Sequence, residues 1–426
     1  MSVADLRSAL DKLEEASCCS GDVNLTERLA LALPDGDVGA IEDATFVDWL
    51  LAHSEPAPYG HGKETKLDPK VRSAQRLKAR ERVVVHGFDP AAILDEIAAV
   101  LSPTRTLSAQ LTDVITYKKG DKFSRHKDTP RAEALIGTLV IGLPIAHTGG
   151  TFVVDDGRAP EKFDWSKPTA NTLPWVALFS DVDHEIEAVK SGARVTLVYA
   201  LHRTDEPRSD TKAKARQELV RKAATALSRQ AQWPVMIPCG RHVIAEPDAK
   251  QPLAIEVLRG ADLEIAEALI AAGFRVEVRA CMAAIPNYDA PQPWPATEGL
   301  FGLTRLKAVP PLDVFDALAD GVGGEIEDYI LDEVMLEQCA IRNSAAAMVV
   351  HENAQWAVAG MDFGNEGFDA LLYSLAALEV SKPKQKAAKK PATKAKSKPT
   401  AKPKANAKAK AKAKAKPKAK PAAKKK

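Results

Sequence analysis

Apolar positions at the start of the chain follow the spacing of a helix. Leu6, Leu10 and Leu13 recur at helical intervals, and residues 41–51 form a second amphipathic stretch. Apolar residues at this spacing share one face of a helix. We therefore expect residues 1–82 to be an N-terminal region of helices and loops.

The spacing changes between residues 83 and 205, where short β-rich runs follow one another. Residues 83–85 predict a strand, and Asp89 with Pro90 predicts the start of a helix that continues to Leu101. Turns rich in Gly, Pro, Asp and Ser separate the later runs, which are 114–117, 139–141, 151–154, 176–179 and 195–199. Short strands with this punctuation indicate a sandwich or barrel.

Helical and strand-like stretches alternate after that core. Residues 212–233 and 263–272 have helical spacing, whereas residues 274–278 alternate as a strand does. We expect residues 206–380 to be an α+β region, either a second domain or an elaboration of the core. The fold class predicted for the whole chain is α+β.

The composition changes abruptly at Ser381. Residues 381–426 contain 20 lysines, no acidic residue and no aromatic residue. Without these lysines the chain has 39 of its 59 basic residues against 57 acidic ones, so residues 1–380 carry about −18 and the tail about +20. Such a segment buries too little apolar surface to offset the entropy of ordering, which predicts a disordered Lys/Ala/Pro tail.

Three features bear on the compartment. The N-terminus lacks the basic start and apolar stretch of a secretory signal, and no apolar run approaches the ~18 residues that span a bilayer. Five cysteines at irregular spacing favour reduced thiols. We expect an intracellular protein, either cytoplasmic or associated with a nucleus or nucleoid.

Candidate metal ligands are concentrated in the strand-rich core. His126 and Asp128 project to one face if their segment is extended, and His184 lies in a second strand-like run. Two imidazoles and one carboxylate can bind Fe(II) and leave its opposite face open. His147 and His202 fit the third position less well. Each residue alone also fits a structural role, and only the joint order favours a metal site.

A basic and a hydroxyl side chain follow His184. A turn at residues 190–192 would reverse the chain and, by antiparallel pairing, bring Arg194 and Thr196 beside His184. Arginine can hold a carboxylate through two parallel hydrogen bonds. A salt-bridge role for Arg194 is the structural alternative.

Several separated segments resemble the prolyl 4-hydroxylase-like branch of the 2-oxoglutarate/Fe(II)-dependent dioxygenases. They are residues 117–129, 149–152, 183–185 and 191–197, which occur in the family's order. The resemblance covers roughly residues 83–202. It implies a double-stranded β-helix, or jelly roll, in residues 83–205.

The resemblance also implies roles for single residues. The iron ligands would be His126, Asp128 and His184. Arg194 would pair with the distal carboxylate of 2-oxoglutarate, Thr196 would add a hydroxyl, and Tyr117 would hydrogen-bond the same co-substrate or simply pack in the core. The implied cofactors are Fe(II), 2-oxoglutarate and O2, with ascorbate as the reductant.

Together these observations predict a dioxygenase that hydroxylates a substrate and releases succinate and CO2. A protein side chain is one of the substrate classes that this chemistry allows. Two rivals stay open, a cupin-like metalloenzyme with another cofactor and a non-enzymatic scaffold that acts through its tail. The tail resembles those of linker histones, which implies association with DNA or RNA. The alternative is a solubilising tail that docks on the acidic body.

Overall fold

The computed structural model of the 426-residue chain describes residues 3–13, 16–61, 64–80, 82–128, 134–156, 159–169, 171–227, 233–241, 252–286, 301–306, 340–341, 347–348, 357–362 and 368–382. Its helices are α1 Val3–Leu10, α2 Phe46–Ala52, α3 Ala91–Leu101, α4 Thr211–Leu227 and α5 Gly260–Ala271, with a 3-10 turn at Ile255–Val257. Its strands are β1 Cys18–Asn24, β2 Ala30–Ala32, β3 Val38–Ala40, β4 Glu55–Pro56, β5 Tyr59–His61, β6 Glu64–Lys66, β7 Arg72–Ser73, β8 Gln75–Lys78, β9 Val84–His86, β10 Arg105–Lys118, β11 Lys122–His126, β12 Leu135–Gly142, β13 His147–Gly149, β14 Phe152–Asp155, β15 Glu161–Phe163, β16 Thr172–Phe179, β17 Asp183–Ile186, β18 Val189–Pro207, β19 Val235–Pro238, β20 Arg275–Pro286, β21 Phe301–Leu306, β22 Ala340–Ile341, β23 Ala347–Met348, β24 Ala357–Asp362 and β25 Phe368–Ser381.

The strands from β10 to β18 are divided between two antiparallel sheets. The larger sheet has the order β1-β16-β12-β18-β10-β8-β4, and the smaller has the order β15-β14-β17-β11-β7. The chain therefore crosses from one sheet to the other at most of the connections between β10 and β18. Strands divided between two sheets in this way form a jelly-roll-like fold, as the family resemblance implies.

The two sheets pack against a single hydrophobic core. Leu139 and Leu197 of the larger sheet belong to the same buried cluster as Phe152 and Ile186 of the smaller one. Side chains alternate between the two faces of a strand, so each sheet presents one apolar face to the other. Each of the five β-rich runs predicted between residues 114 and 199 overlaps one of these strands.

The N-terminal region is not mainly helical, so that prediction is wrong. α1 and α2 form, but β1 pairs with β16 from Cys18 opposite Leu178 to Asn24 opposite Thr172 and extends the larger sheet. Along β1 only Cys18 is buried. Backbone pairing with β16, rather than an alternation of apolar side chains, therefore defines this strand, and the sequence carries little signal for it.

The predicted pairing beside His184 is also wrong. Residues 190–192 lie inside β18 instead of forming a turn. β17 pairs with β11 and β14, whereas β18 pairs with β10, β12 and β13. Consecutive strands of a jelly roll cross between sheets, so His184 and Arg194 lie in opposite sheets.

The residues after β18 build a second core. A sheet of order β22-β21-β20-β25-β19-β23 contributes Val278 and Leu378, and the helices α1, α4 and α5 contribute Leu10, Ala224 and Leu269. α1 therefore packs against the C-terminal region although it begins the chain. The domain boundaries predicted at residues 83, 206 and 381 stay predictions.

Residues 383–426 lie outside the described part of the chain, so the disorder of the lysine-rich tail also stays a prediction. In the ranges given above, every helix is too short or too polar to cross a membrane. Cys18, Cys19 and Cys239 are not joined in disulfide bonds.

Candidate metal centre

Two neighbouring strands of the smaller sheet present the two histidines. His126 ends β11, and His184 lies in β17 directly opposite it in the antiparallel register. Opposed side chains of such a pair lie on the same face, with Cβ atoms about 4.5–5.5 Å apart. The imidazole rings accordingly lie 4.2 Å apart, measured between centroids.

Asp128 joins these histidines from the segment just after β11. Its Oδ1 lies 3.9 Å from Nε2 of His126 and 3.7 Å from Nε2 of His184. One ligand atom from each of the three residues falls within 4.8 Å of the others. Since a metal–imidazole bond is about 2.1 Å long, these separations suit three atoms that share one ion.

Each imidazole is oriented by a hydrogen bond on its far side. Nδ1–H of His126 donates to the carbonyl of Ser124 at 2.9 Å, and Nδ1–H of His184 donates to the carbonyl of Val182 at 3.0 Å. A carbonyl can only accept, so Nδ1 carries the proton and Nε2 keeps its lone pair. Both lone pairs are therefore available to a metal, the arrangement usual for metal-binding histidines.

Asp128 is held from the opposite sheet. Thr138 of β12 donates its hydroxyl to Oδ2 of Asp128 at 2.5 Å, which leaves Oδ1 for the space between the imidazoles. Hydrogen bonds of this kind fix the direction of a ligating carboxylate.

The environment favours the protonation states that bind a divalent cation. Burial and the charge of His184 lower the pKa of His126 to about 3, although Asp128 opposes this change. Burial raises the pKa of Asp128, but His184, His126 and Thr138 together outweigh it, so the pKa of this carboxyl is lowered. At pH 7 His126 is neutral and Asp128 is an anion, as metal binding requires.

Arg194 is a buried cation with no hydrogen-bond partner among the residues that the structure describes. Its side chain is 1 % exposed, and within that part of the chain Nε, Nη1 and Nη2 all lack a partner. Burial lowers its pKa to about 10, which still leaves it charged at pH 7. Buried charges in folded proteins are normally paired, so this guanidinium is available to bind an anion.

Aromatic rings surround Arg194 in place of anions. The guanidinium carbon lies 5.0 Å from the ring centre of Trp165 and 5.8 Å from that of Tyr117, which is directly opposite on β10. A Cβ on Gly150 would lie 2.9 Å from Cδ of Arg194. The absence of a side chain on Gly150 therefore leaves room for the aliphatic part of the Arg194 side chain.

A row of rings connects Arg194 to the three metal-site residues. His184 contacts Phe152 at 5.7 Å between centroids, and Phe152 lies 6.3 Å from Trp165, which faces Arg194. The unpaired cation and the ligand cluster thus belong to one interior space between the sheets. Thr196 is buried on β18 two residues after Arg194, on the same face.

The structure thus gathers the predicted residues around two centres, the metal cluster and Arg194. Sequence reasoning missed Thr138 and Trp165, because their contacts come from another strand and a connecting segment. The two other histidines considered as metal ligands lie elsewhere. His202 is half-buried in the C-terminal half of β18. His147 is buried, and the nearby charge of Arg194 contributes to lowering its pKa.

Comparison with known proteins gives matches only among solved structures; no family model and no curated protein matches. A 2OG-Fe(II) oxygenase family oxidoreductase from Burkholderia pseudomallei is 19% identical, with 48% of this chain and 93% of that chain covered and a TM-score of 0.26. A Pseudomonas putida prolyl-4-hydroxylase is 17% identical (47% and 99% covered, TM-score 0.27). A Trichoplax adhaerens prolyl hydroxylase, solved with a hypoxia inducible factor peptide, is 13% identical (47% and 91% covered, TM-score 0.28). Because these TM-scores are low, a function can be inferred only from the side chains of the site and not from the similarity to these structures. These three solved structures, to which this chain is similar, are one 2OG-Fe(II) oxygenase family oxidoreductase and two prolyl hydroxylases.

Proposed function

We propose that this protein is an Fe(II)- and 2-oxoglutarate-dependent dioxygenase that hydroxylates its substrate and releases succinate and CO2. The observation that carries the proposal is the pairing of two features in one interior. These are a cluster of two imidazoles and a carboxylate, and a buried arginine with no anion to bind.

The cluster fits the metal that the proposal requires. His126, Asp128 and His184 supply two nitrogen atoms and one oxygen atom from one side, the donor set of non-haem Fe(II) oxygenases. When bound, Fe(II) and 2-oxoglutarate supply the oxidising chemistry with O2. The chain's part is to orient these ligands through Ser124 and Val182 and to exclude water.

The unpaired guanidinium fits the co-substrate. Arg194 would bind the distal carboxylate of 2-oxoglutarate through two parallel hydrogen bonds, satisfying nitrogen atoms that have no partner among the described residues. Thr196 and Tyr117 lie on the same face and would add hydroxyl groups. The aromatic walls keep water away, which strengthens these electrostatic contacts.

The proposed substrate class is a protein side chain, which follows from the branch that the sequence resembles. A modified residue or a small metabolite would suit the same chemistry, so the substrate itself has to be identified by experiment. Mass spectrometry of cell extracts that stimulate 2-oxoglutarate turnover would identify the hydroxylated molecule.

The test is turnover of 2-oxoglutarate to succinate with Fe(II), O2 and ascorbate. His126→Ala and His184→Ala should each abolish it, because two protein ligands hold the metal too weakly. His86→Ala removes an exposed histidine on β9 and should leave turnover unchanged. Turnover in either ligand variant at the wild-type rate would refute the site.

A second candidate function rests on the charge of the tail. Twenty lysines without an acidic residue in residues 381–426 suit sequence-independent binding of a nucleic acid. Under this alternative the protein is a non-enzymatic β-barrel scaffold that acts through its tail. The same succinate assay separates the two, since a scaffold forms none.

A further inference from the structure

His147 is a buried histidine beside Arg194 that the proposed function leaves without a role. Its side chain is 6 % exposed, and it lies opposite Gly192 where β13 pairs with β18. Residues two apart along a strand share a face. His147 and Arg194 therefore project from the same face of the larger sheet.

Among the described residues, one ring nitrogen of His147 has a hydrogen-bond partner and the other has none. Nδ1–H donates to the carbonyl of Ile145 at 2.9 Å, whereas Nε2 is buried with no partner in the described ranges. The neutral ring in this tautomer offers Nε2 as an acceptor, and the protonated ring offers it as a donor. Nε2 joins the three nitrogen atoms of Arg194 as unsatisfied groups on one face.

Two charged groups act on His147 from the elements packed around it. They are Arg194 on β18 and Asp164, which precedes Trp165 between β15 and β16. Burial and Arg194 lower the pKa of His147, while Asp164 and the bond to Ile145 oppose that change. The ring is therefore neutral at pH 7 while no ligand is bound.

We propose that His147 takes up a proton when a dicarboxylate binds at Arg194 and then donates from Nε2 to the bound carboxylate. The inference rests on the proposed function, because it takes the anion held by Arg194 to be a carboxylate. The proton comes from solvent, and only an N–H bond forms. The carboxylate cancels the repulsion from Arg194 and gives the new donor an acceptor.

Proton uptake makes the affinity depend on pH. Binding that takes up a proton weakens as pH rises, by up to about tenfold per pH unit when a whole proton is taken up. We therefore expect the affinity for 2-oxoglutarate to fall by roughly three- to tenfold per unit between about pH 6 and 8, the range in which a histidine titrates.

The experiment is calorimetric titration of the full chain with 2-oxoglutarate in the presence of Mn(II), which supports binding without turnover. Measurements in two buffers of different ionisation enthalpy give the number of protons taken up at each pH. His147→Asn is the informative variant, because its amide can still donate to Ile145 while Nε2 is absent. His86→Asn, on the exposed face of β9, is the matched control.

Wild type and His86→Asn should take up a fraction of a proton that rises towards one near pH 6. His147→Asn should bind with no uptake and with an affinity that does not change with pH. Binding by wild type without uptake, or uptake retained in His147→Asn at a wild-type melting temperature, would overturn the inference and leave the proposed function standing. Absence of any binding of 2-oxoglutarate by wild type would instead refute the proposed function.

Discussion

A buried guanidinium with three unsatisfied nitrogen atoms destabilises the fold as long as no anion binds it. The penalty for leaving a buried polar group without a partner is about 1–3 kcal/mol, and more for a charged one. Cation–π contacts with the rings of Trp165 and Tyr117 offset part of this penalty. Arg194 is therefore retained at a cost to stability, which is expected of a ligand-binding residue and not of a structural one.

Arg194→Met should raise the melting temperature of the ligand-free protein. Methionine fills a similar volume without a charge, and apolar replacement of a buried ionic group is often neutral or stabilising. A gain of about 1–3 kcal/mol corresponds to a rise of several degrees, at about 2–4 °C per kcal/mol. The same variant should lose the stabilisation that 2-oxoglutarate with Mn(II) gives to wild type.

The control for this measurement is Arg28→Met, which removes an exposed arginine paired with Glu42 and should leave the melting temperature unchanged. A drop in the melting temperature of ligand-free Arg194→Met would show that the guanidinium stabilises the empty fold and would count against a ligand-binding role.

At the scale of elements, β1 shows how a strand can form without an apolar pattern. Gly21 lies in its middle, and a Cβ there would come within 2.7 Å of Cζ2 of Trp175. Trp175 is 1 % exposed and has no room to move. The indole thus occupies the space that any other residue at position 21 would need.

Gly21→Ala should therefore destabilise the protein, by about 1–3 kcal/mol as is typical for overpacking. Ser20→Ala, at an exposed position of the same strand, should have little effect. The sign of the change is informative, because in a loop with room for a Cβ the same substitution would instead stabilise the protein by about 0.4–1 kcal/mol. Thermal unfolding of the two variants decides between the two structures.

The strands that the sequence predicted share a property that β1 lacks. β10, β12, β16 and β18 are buried between a neighbouring sheet and other elements, so their apolar runs are dense and easily read. Local spacing does not say which sheet a strand joins, so the sequence does not show that β17 and β18 lie in different sheets.

The candidate site divides in the same way. His126 and Asp128 are close in sequence, and His184 and Arg194 occur in a recognisable order, so all four could be named from the sequence. Trp165 reaches Arg194 only through the tertiary fold. Contacts of that kind leave no local signal.

At the scale of the whole molecule, the jelly roll is joined to the C-terminal region close to the metal centre. Nη1 of Arg259, which precedes α5, donates to the hydroxyl of Ser180 at 2.9 Å. Nη1 of Arg241 lies 3.6 Å from Oδ1 of Asp181. Ser180 and Asp181 form the corner between β16 and β17, just before His184. The C-terminal region therefore supports the corner from which a candidate ligand projects.

The second property at this scale is the opposite net charge of residues 1–380 and of the lysine-rich tail. It leads to a prediction about the tail. Removing residues 385–426 keeps β25, which ends at Ser381, and deletes most of the lysines. The truncated chain should lose binding to double-stranded DNA at low salt. Binding by the full chain should weaken steeply with salt, since each phosphate contact releases counterions and contributes about −0.9 to the slope of log affinity against log salt.

A tail of the same composition in scrambled order should restore binding, because lysine side chains without aromatic or arginine partners do not read bases. If the truncated chain binds DNA as well as the full chain does, the tail is not the part that binds DNA, and the scaffold alternative loses its one support.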